Sequence, residues 1–97
     1  MVIEIKDDGR KYILKLDGQR AAVSTYKDAG NRRVFLHTEV DPDYAGQGLA
    51  GQLVRAELDD VRAKGMRIVA SCPMVAGYVE RHHDWDDILD HPAGVEG

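Results

Sequence analysis

The sequence has 97 residues, a length that suits one folded domain and leaves no room for a second core. Its single cysteine excludes an internal disulfide framework and a cysteine-rich zinc fold, and its net charge of −4 argues against a surface that binds nucleic-acid phosphates. No apolar stretch is long enough to span a bilayer, and the first residues lack the basic and apolar regions of a signal peptide. We therefore expect one cytoplasmic domain over residues 1–97 that binds neither membrane nor nucleic acid.

The first forty residues have the pattern of strands joined by turns. Apolar and polar residues alternate, and Asp17-Gly18 is the strongest short hairpin signal in the chain. The pattern predicts an antiparallel meander of four strands at Val2–Lys6, Lys11–Leu16, Arg20–Lys27 and Val34–Val40. Arg32 and Arg33, which stand beside the turn before the fourth strand, are interpreted as surface charge.

The apolar period then changes from that of a strand to that of a helix. Apolar residues recur at helical spacing over Leu49–Lys64, and Gly65 stands where a helix commonly ends. Arg67–Ser71 is a short apolar run typical of a buried strand, and Pro73 suits the first position of a short helix capped by Cys72. The sequence thus predicts an α+β fold of order β-β-β-β-α-β-α. Its fifth strand would lie parallel to the fourth through a right-handed crossover.

A glycine-rich loop joins the predicted fourth strand to the long helix. Gly46, Gly48, Ala50 and Gly51 are small enough for the backbone to approach a ligand closely. A helix that begins here offers unpaired amides and the positive end of its dipole, which suits a phosphate or pyrophosphate. The loop matches neither a P-loop nor a Rossmann fingerprint. The alternative is a glycine-rich turn that only starts a helix.

The residues around this loop resemble the acetyl-CoA-binding segment of the GNAT N-acetyltransferase superfamily. The resemblance is carried by Leu36-His37-Thr38-Glu39-Val40-Asp41-Pro42 and by Gly46-Gln47-Gly48-Leu49-Ala50. Gly48 and Ala50 fill the fourth and sixth positions of the superfamily pattern Gln/Arg-x-x-Gly-x-Gly/Ala, whereas Ala45 departs from its first position. With the later Cys-Pro and Tyr-Val pairs, the string is similar to a minimal branch of small GNAT-like N-acetyltransferase domains.

This resemblance implies acetyl-CoA as cosubstrate, bound where the fourth and fifth strands part. The pantetheine arm would lie along the fourth strand like an added strand and contact the main chain of Thr38, Glu39 and Val40. The pyrophosphate would be held by the main-chain amides of Gly46, Gln47, Gly48, Leu49, Ala50 and Gly51. The chain lacks the N-terminal helices of larger GNAT enzymes, so the acceptor side would be open. A protein lysine, a polyamine, another small amine or a thiol would all suit it.

Four side chains are candidates for the chemistry. Cys72 is placed near a helix N-terminus, which favours the nucleophilic thiolate, although a buried structural cysteine fits the same position. Tyr78 resembles the GNAT tyrosine that protonates the departing CoA thiolate, and a core or rim tyrosine is the alternative. Glu39 and His37 share one face of the fourth strand. Either can take a proton from an attacking ammonium, or both simply form a polar outer face.

The acidic tail has the composition of a metal site without the spacing of one. Its possible ligands are His82, His83, Asp84, Asp86, Asp87 and His91. Because adjacent histidines on a helix point in different directions, we expect a solvated tail and no metal. Trp85, Ile88 and Leu89 are expected to pack the first part of the tail against the body.

The leading hypothesis is an acetyl-CoA-dependent acyltransferase that acetylates a primary amine. In direct transfer, Glu39 or a water would be the base and Tyr78 the acid. In a ping-pong route, Cys72 would be acetylated first and would then pass on the acetyl group. The alternative function is a non-catalytic CoA-binding or protein-interaction module. The sequence leaves open the acceptor, the route and the oligomeric state.

Overall fold

A single six-stranded sheet, whose strand order follows the chain order, carries two helices. The computed structural model describes residues 2–90. The strands are β1 (Ile3–Asp7), β2 (Lys11–Leu16), β3 (Gln19–Ala29), β4 (Arg32–Val40), β5 (Arg67–Ala70) and β6 (Leu89–Asp90). The helices are α1 (Leu49–Ala63) and α2 (Pro73–Arg81), with short 3-10 helices over Pro42–Tyr44 and His83–Ile88.

The strand pairing confirms the predicted α+β fold. Strands β1 to β4 form an antiparallel meander, and β5 lies parallel to β4 after the α1 crossover. Strands β3 and β6 differ from the prediction. Strand β3 is longer at both ends than Arg20–Lys27, because its polar ends continue the hairpin ladders. Strand β6 was not predicted, because a strand of two residues is too short to show a periodic pattern in the sequence. It pairs in parallel with β5, where Leu89 lies opposite Ile68.

The core lies between α1 and the inner face of the sheet. Buried apolar side chains of α1, among them Leu53, Val54, Leu58 and Val61, pack on this face. Helix α1 ends as predicted, with Lys64 as the C-cap and Gly65 at a φ of 68°. No helix within residues 2–90 is long and apolar enough to cross a membrane.

Arg33 is buried, so its interpretation as surface charge was wrong. Strand β4 begins two residues earlier than predicted, and Arg33 shares the inner face with Phe35 because alternate residues point the same way. Its guanidinium donates two hydrogen bonds to Asp28, at 2.8 and 3.0 Å, and one to the Tyr12 hydroxyl at 2.7 Å. It also lies 4.1 Å from the centre of the Tyr26 ring. The hydrogen bond to Asp28 raises the pKa of Arg33 further above its ordinary value, so this cation stays charged.

Arg33→Met is expected to lower the free energy of unfolding by about 2 kcal/mol, since it leaves Asp28 without its partner and removes the hydrogen bond that the Tyr12 hydroxyl accepts. The effect is smaller than for a fully buried pair because Asp28 reaches solvent. The matched control is Arg32→Met, which removes an exposed pair with Asp90 and is expected to cost less than about 1 kcal/mol. Urea unfolding of both variants measures the difference; equal midpoints would contradict the assigned role of Arg33.

Candidate active site between strands β4 and β5

Strands β4 and β5 pair along only the first part of β4. Their register runs from Arg32 opposite Arg67 to Phe35 opposite Ala70, whereas β4 continues to Val40. Leu36 is an extra residue in the pairing of β4 with β3, and a bulge of this kind bends a strand. Within the described chain, residues 36–40 have no strand partner on the β5 side. The two strands therefore part, and we call the space between them the β4–β5 gap.

Cys72 stands beside this gap, where β5 has ended and α2 begins. It is the N-cap of α2, with Pro73 in the first turn, as the sequence predicts. Its sulfur lies 3.4 Å from the hydroxyl oxygen of Thr38, a buried residue of β4. The structure thus brings together two of the predicted site residues from opposite sides of the gap. Cys72 is only 2% exposed, so its thiol is covered.

The glycine-rich loop leads from the end of β4 into α1. Gly46 and Gly48 have φ values of 82° and 73°, a left-handed conformation that glycine adopts without strain. Gly48 is the N-cap, and its carbonyl accepts the first helical hydrogen bond, from Gln52 at 3.3 Å. The amides of residues 49–51 precede that bond, so they lack a partner within the helix. Of the other loop residues, Gln47 is exposed and Ala50 half-buried, while the Leu49 side chain is buried in the core.

Tyr78 closes the space between the two helices. A β-carbon built on Gly51 of α1 would lie 3.9 Å from the Tyr78 ring, and the ring also packs on Trp85, with 5.7 Å between ring centres. Tyr78 follows Cys72 by six positions, which places it about 9 Å further along the helix axis and on a different face. Cys72 faces β4 and Tyr78 faces α1. The structure therefore places the two residues on different walls of the site.

Glu39 lies on the face of β4 opposite Thr38. It pairs with His37 at 2.9 Å, and both side chains are more than 60% exposed. Glu39 and Asp41 line a cavity of about 580 Å³ at the ends of β3 and β4, whose other lining residues are Arg20, Ala21, Ala22, Val23, Val40 and Pro42. Because alternate residues of a strand point to opposite faces, Glu39 and Cys72 approach the site from different sides.

Glu57 is a buried residue that the sequence reading missed. Its side chain is fully buried on the inner face of α1, and neither carboxyl oxygen has a hydrogen-bond partner among the described residues. Burial raises the pKa of Glu57 to about 8, although the Ser24 hydroxyl of β3 partly offsets that effect. A signal was present, because Glu57 falls between Val54 and Val61 on the apolar stripe of the helix.

The acidic tail packs against the body as far as the structure describes it. Trp85 is buried and donates a hydrogen bond to Asp59 at 3.1 Å, and Arg62 pairs with Asp87 at 2.9 Å. His83 contacts Asp86 at 3.1 Å. Among residues 2–90, no group of three or more His, Cys, Asp or Glu side chains is arranged to hold a metal ion. His91 lies outside the described residues.

A family profile and several curated relatives match most of this chain. The family profile described as GCN5-related N-acetyl-transferase matches residues 11–88. Protein NATD1 from Gallus gallus is 35% identical over 75 residues, which are 75% of this chain and 68% of that protein. Protein NATD1 from Homo sapiens has the same identity over 75 residues, covering 66% of its length. The chain thus spans about two thirds of the length of these relatives.

Solved structures show the same fold. A GCN5-like protein from Staphylococcus aureus, determined by NMR, has a TM-score of 0.71 and 25% sequence identity, covering 94% of this chain and 91% of that one. The ribosomal-protein-S18-alanine N-acetyltransferase from Escherichia coli has a TM-score of 0.58 and 23% identity, covering 65% of this chain and 42% of that one. The profile matches most of the chain, and the parallel β4–β5 pair and the glycine-rich loop agree with that match. The chain therefore belongs to the GCN5-related N-acetyltransferase family.

Proposed function

We propose that the protein transfers the acetyl group of acetyl-CoA to a primary amine, through an acetyl-cysteine at Cys72. The observation that carries this proposal is the β4–β5 gap, which has the thiol on one wall and the glycine-rich loop near its end. Membership of an acetyltransferase family supplies the reaction class. The thiol and its contact with Thr38 supply the proposed nucleophile.

The gap suits the pantetheine arm because, within residues 2–90, β4 presents an edge there that pairs with no strand. An amide-bearing chain laid against residues 38–40 can exchange main-chain hydrogen bonds with that edge, as in strand addition. The pyrophosphate then meets the free amides at the start of α1, where the helix dipole favours negative charge. In this pose the main chain of Thr38, Glu39 and Val40 holds the arm. The amides from Gly46 to Gly51 hold the phosphates.

The Cys72 sulfur lies at the wall along which the thioester would pass. Attack of the thiol on the acetyl carbon forms the acetyl-cysteine thioester and breaks that of acetyl-CoA. The Cys72 thiol gives up one proton and the departing CoA thiolate takes one up, so the net products are acetyl-cysteine and CoA with a free thiol. Tyr78, on the α1 side of the site, is the proposed acid that protonates that thiolate. Since Cys72 is covered, the pantetheine arm must displace the side chains over it before the reaction can begin.

The acceptor amine is proposed to enter from the opposite face, through the cavity that Glu39 and Asp41 line. The carboxylates of Glu39 and Asp41 outnumber the one cation of the lining, Arg20, so the cavity attracts a cationic amine. Glu39 is the proposed base that removes the proton of that amine before attack. Attack on the acetyl-cysteine forms the amide and returns the thiol. If the amine attacks bound acetyl-CoA directly, Glu39 keeps the same role and Cys72 is not acetylated.

Single-turnover loss of acetyl-CoA, measured with a panel of primary amines, tests the proposed function. We expect one equivalent of CoA to be released per protein and the acetyl group to appear on the amine. The same assay without an amine is the control, and it should give the acetylated protein alone. Bound acetyl-CoA that survives intact with every amine would overturn the proposal.

Gly48→Ala is expected to weaken CoA binding at least tenfold, because a β-carbon at this left-handed position crowds the pyrophosphate and strains the loop. Gly65→Ala is the matched control. Gly65 lies at the other end of α1 with a φ of 68° and, like Gly48, has open space around a β-carbon. Both variants should lose similar stability, and only Gly48→Ala should lose affinity in calorimetry with CoA. Equal affinities would place the pyrophosphate elsewhere.

A non-catalytic CoA-binding module is the second candidate, favoured by the burial of Cys72 and by its separation from Tyr78. A pure binding module would bind CoA and acetyl-CoA through the same amides and release neither acetyl group nor CoA. The single-turnover assay separates it from the enzyme, since both candidates predict binding and only one predicts turnover.

A further inference from the structure

Strand β1 forms an open edge of the sheet. It pairs with β2 on one side, and no strand among residues 2–90 pairs with it on the other. An edge of this kind presents a row of main-chain amides and carbonyls to which another strand can add, and proteins often block it with a proline or a bulge. Residues 3–7 contain no proline and pair with β2 one for one. The edge is therefore able to accept a strand.

The hydrogen bonds at the two ends of β1 show which main-chain groups face this edge. The Asp8 amide donates to the Lys11 carbonyl at 3.0 Å, and the Asp17 amide donates to the Val2 carbonyl at 2.8 Å. Since an antiparallel pair forms these bonds at every second residue, the even-numbered residues of β1 bond to β2. The groups that point to the open edge belong to the odd-numbered residues, which are Ile3, Ile5 and Asp7.

The side chains of β1 divide between the two faces of the sheet. Ile3 and Ile5 are half-buried on the inner face, where they pack against the core. Glu4 and Lys6 are exposed on the outer face, where the Lys6 ammonium lies 4.0 Å from the Glu4 carboxylate. The outer face of β1 thus carries one acid and one base, two residues apart.

A second copy of β1, laid antiparallel on this edge, has one register that suits both faces. Hydrogen-bonded pairs must join odd-numbered residues, because only those direct main-chain groups outward. With Ile5 opposite the partner's Ile5, Glu4 lies opposite the partner's Lys6, and the reverse pair repeats the match. A shift of two residues in either direction places Glu4 opposite Glu4, or Lys6 opposite Lys6. Like charges directly opposite one another destabilise a strand pair.

We propose that β1 is a dimer interface, at which two copies of the chain pair antiparallel about a two-fold axis through Ile5. This register gives about six main-chain hydrogen bonds, formed by the Ile5 pair and by each pairing of Ile3 with the partner's Asp7. The two six-stranded sheets become one continuous sheet. Because β2 and β3 separate β1 from the β4–β5 gap, the dimer leaves both gaps open.

A cavity beside β1 leaves room for the partner's side chains. Helix α1 packs mainly over β2, β3 and β4, so it does not fill the inner face above β1. The cavity measures about 210 Å³ and is lined by Ile5, Asp7, Tyr12, Ala56 and Asp60. In the proposed register the partner's Ile3 lies opposite Asp7, at the mouth of this cavity. The dimer therefore covers apolar surface as well as the main-chain edge.

The interface is small, because each copy contributes a strand of five residues. We expect a reversible dimer with a Kd of about 10 to 100 μM, since small interfaces bind weakly. Sedimentation velocity over a range of protein concentrations measures this association. Wild type should pass from monomer to dimer between micromolar and millimolar concentration.

Glu4→Lys and Lys6→Glu test the charge match. Each variant places like charges opposite one another in its own dimer, so each should raise the Kd at least about tenfold. An equal mixture of the two variants restores opposite charges at both outer-face pairs and should dimerise like wild type. Lys27→Glu reverses an exposed charge on β3 and is the matched control, which should leave the Kd unchanged. All three positions are exposed, so urea unfolding should show wild-type stability.

Amide hydrogen exchange tests the register. Raising the concentration of wild type should protect the amides of Ile3, Ile5 and Asp7, whereas Glu4 and Lys6, which already bond to β2, should keep their rates. Three results would overturn the proposal: a monomer at millimolar concentration, single variants that dimerise as tightly as wild type, or a mixture that fails to associate. Protection of the odd-numbered amides in a monomer would also overturn it, because another segment would then occupy the edge.

Discussion

Cys72→Ser is expected to abolish acetylation of the protein by acetyl-CoA and to slow acetyl transfer to an amine at least about a hundredfold. The sulfur is the nucleophile of the proposed route, and a serine hydroxyl at this covered position keeps the contact with Thr38 but remains protonated. Intact-mass measurement after mixing with acetyl-CoA gives the first result, with peptide mapping to place the acetyl group. Single-turnover kinetics gives the second.

The control for this substitution is Ser71→Ala, which changes the exposed residue next to Cys72 and should leave acetylation unchanged. Cys72→Ser is expected to cost little stability, because serine keeps the capping position at the start of α2. Transfer at the wild-type rate in Cys72→Ser would make Cys72 a structural residue. Direct transfer with Glu39 and Tyr78 would then be the route to test.

Glu57→Gln is expected to stabilise the fold, and the gain should grow with pH. In the folded chain the pKa of Glu57 is about 8, against an ordinary value of 4.5. Below about pH 4.5 the carboxyl group is protonated in both states and has no effect on stability. Between about pH 4.5 and 8 the unfolded chain ionises and the folded chain does not, so wild-type stability falls by about 1.4 kcal/mol per pH unit.

The difference between Glu57→Gln and wild type should therefore be near zero at pH 4.5 and about 3 kcal/mol at pH 7. Urea unfolding at several pH values measures it, and Glu80→Gln, on an exposed acid of α2, serves as the control that should show no such trend. A constant difference across this pH range would mean that Glu57 ionises normally in the folded chain.

The free energy of unfolding should also fall at low pH, and there the residues responsible are Asp7 and Asp60. Burial raises the pKa of Asp7 and Asp60, but hydrogen bonds from Tyr26 to Asp7 and from Lys64 to Asp60 lower both below the ordinary value overall. Their stabilising effect is present above about pH 4 and is lost as the pH falls through their folded-state pKa values. Glu57 lowers the stability above about pH 4.5, because it ionises in the unfolded chain before it ionises in the folded one. The free energy of unfolding should therefore be highest near pH 4 to 5.

The order of the main strands and helices could be predicted from the sequence, because each of these elements has its own pattern of apolar residues. The alternation in β2 and β4, the helical spacing of α1 and the Cys72-Pro73 cap are local patterns that appear in the structure. The glycine-rich loop could likewise be placed at the head of α1, since small residues preceded a clear helix. These features depend on neighbours along the chain, which a single sequence displays.

The features that the sequence did not give depend on contacts between distant elements. The bulge at Leu36 is defined by how the residues of β4 pair with those of β3. The β4–β5 gap is defined by where the pairing of β4 with β5 ends. Arg33 and Glu57 look like surface charges by residue type, and both are buried because the positions they occupy point inward.

An NMR titration of the labelled protein with CoA tests most directly whether the β4–β5 gap is the cosubstrate site. Amide signals of Thr38, Glu39 and Val40 should shift with those of the loop from Gly46 to Gly51, and Cys72 should move with them. The amide signals of Arg33 and of its partner Asp28, at the other end of β4, should not shift. Shifts confined to other parts of the sheet, or no shifts at millimolar CoA, would contradict the proposed site.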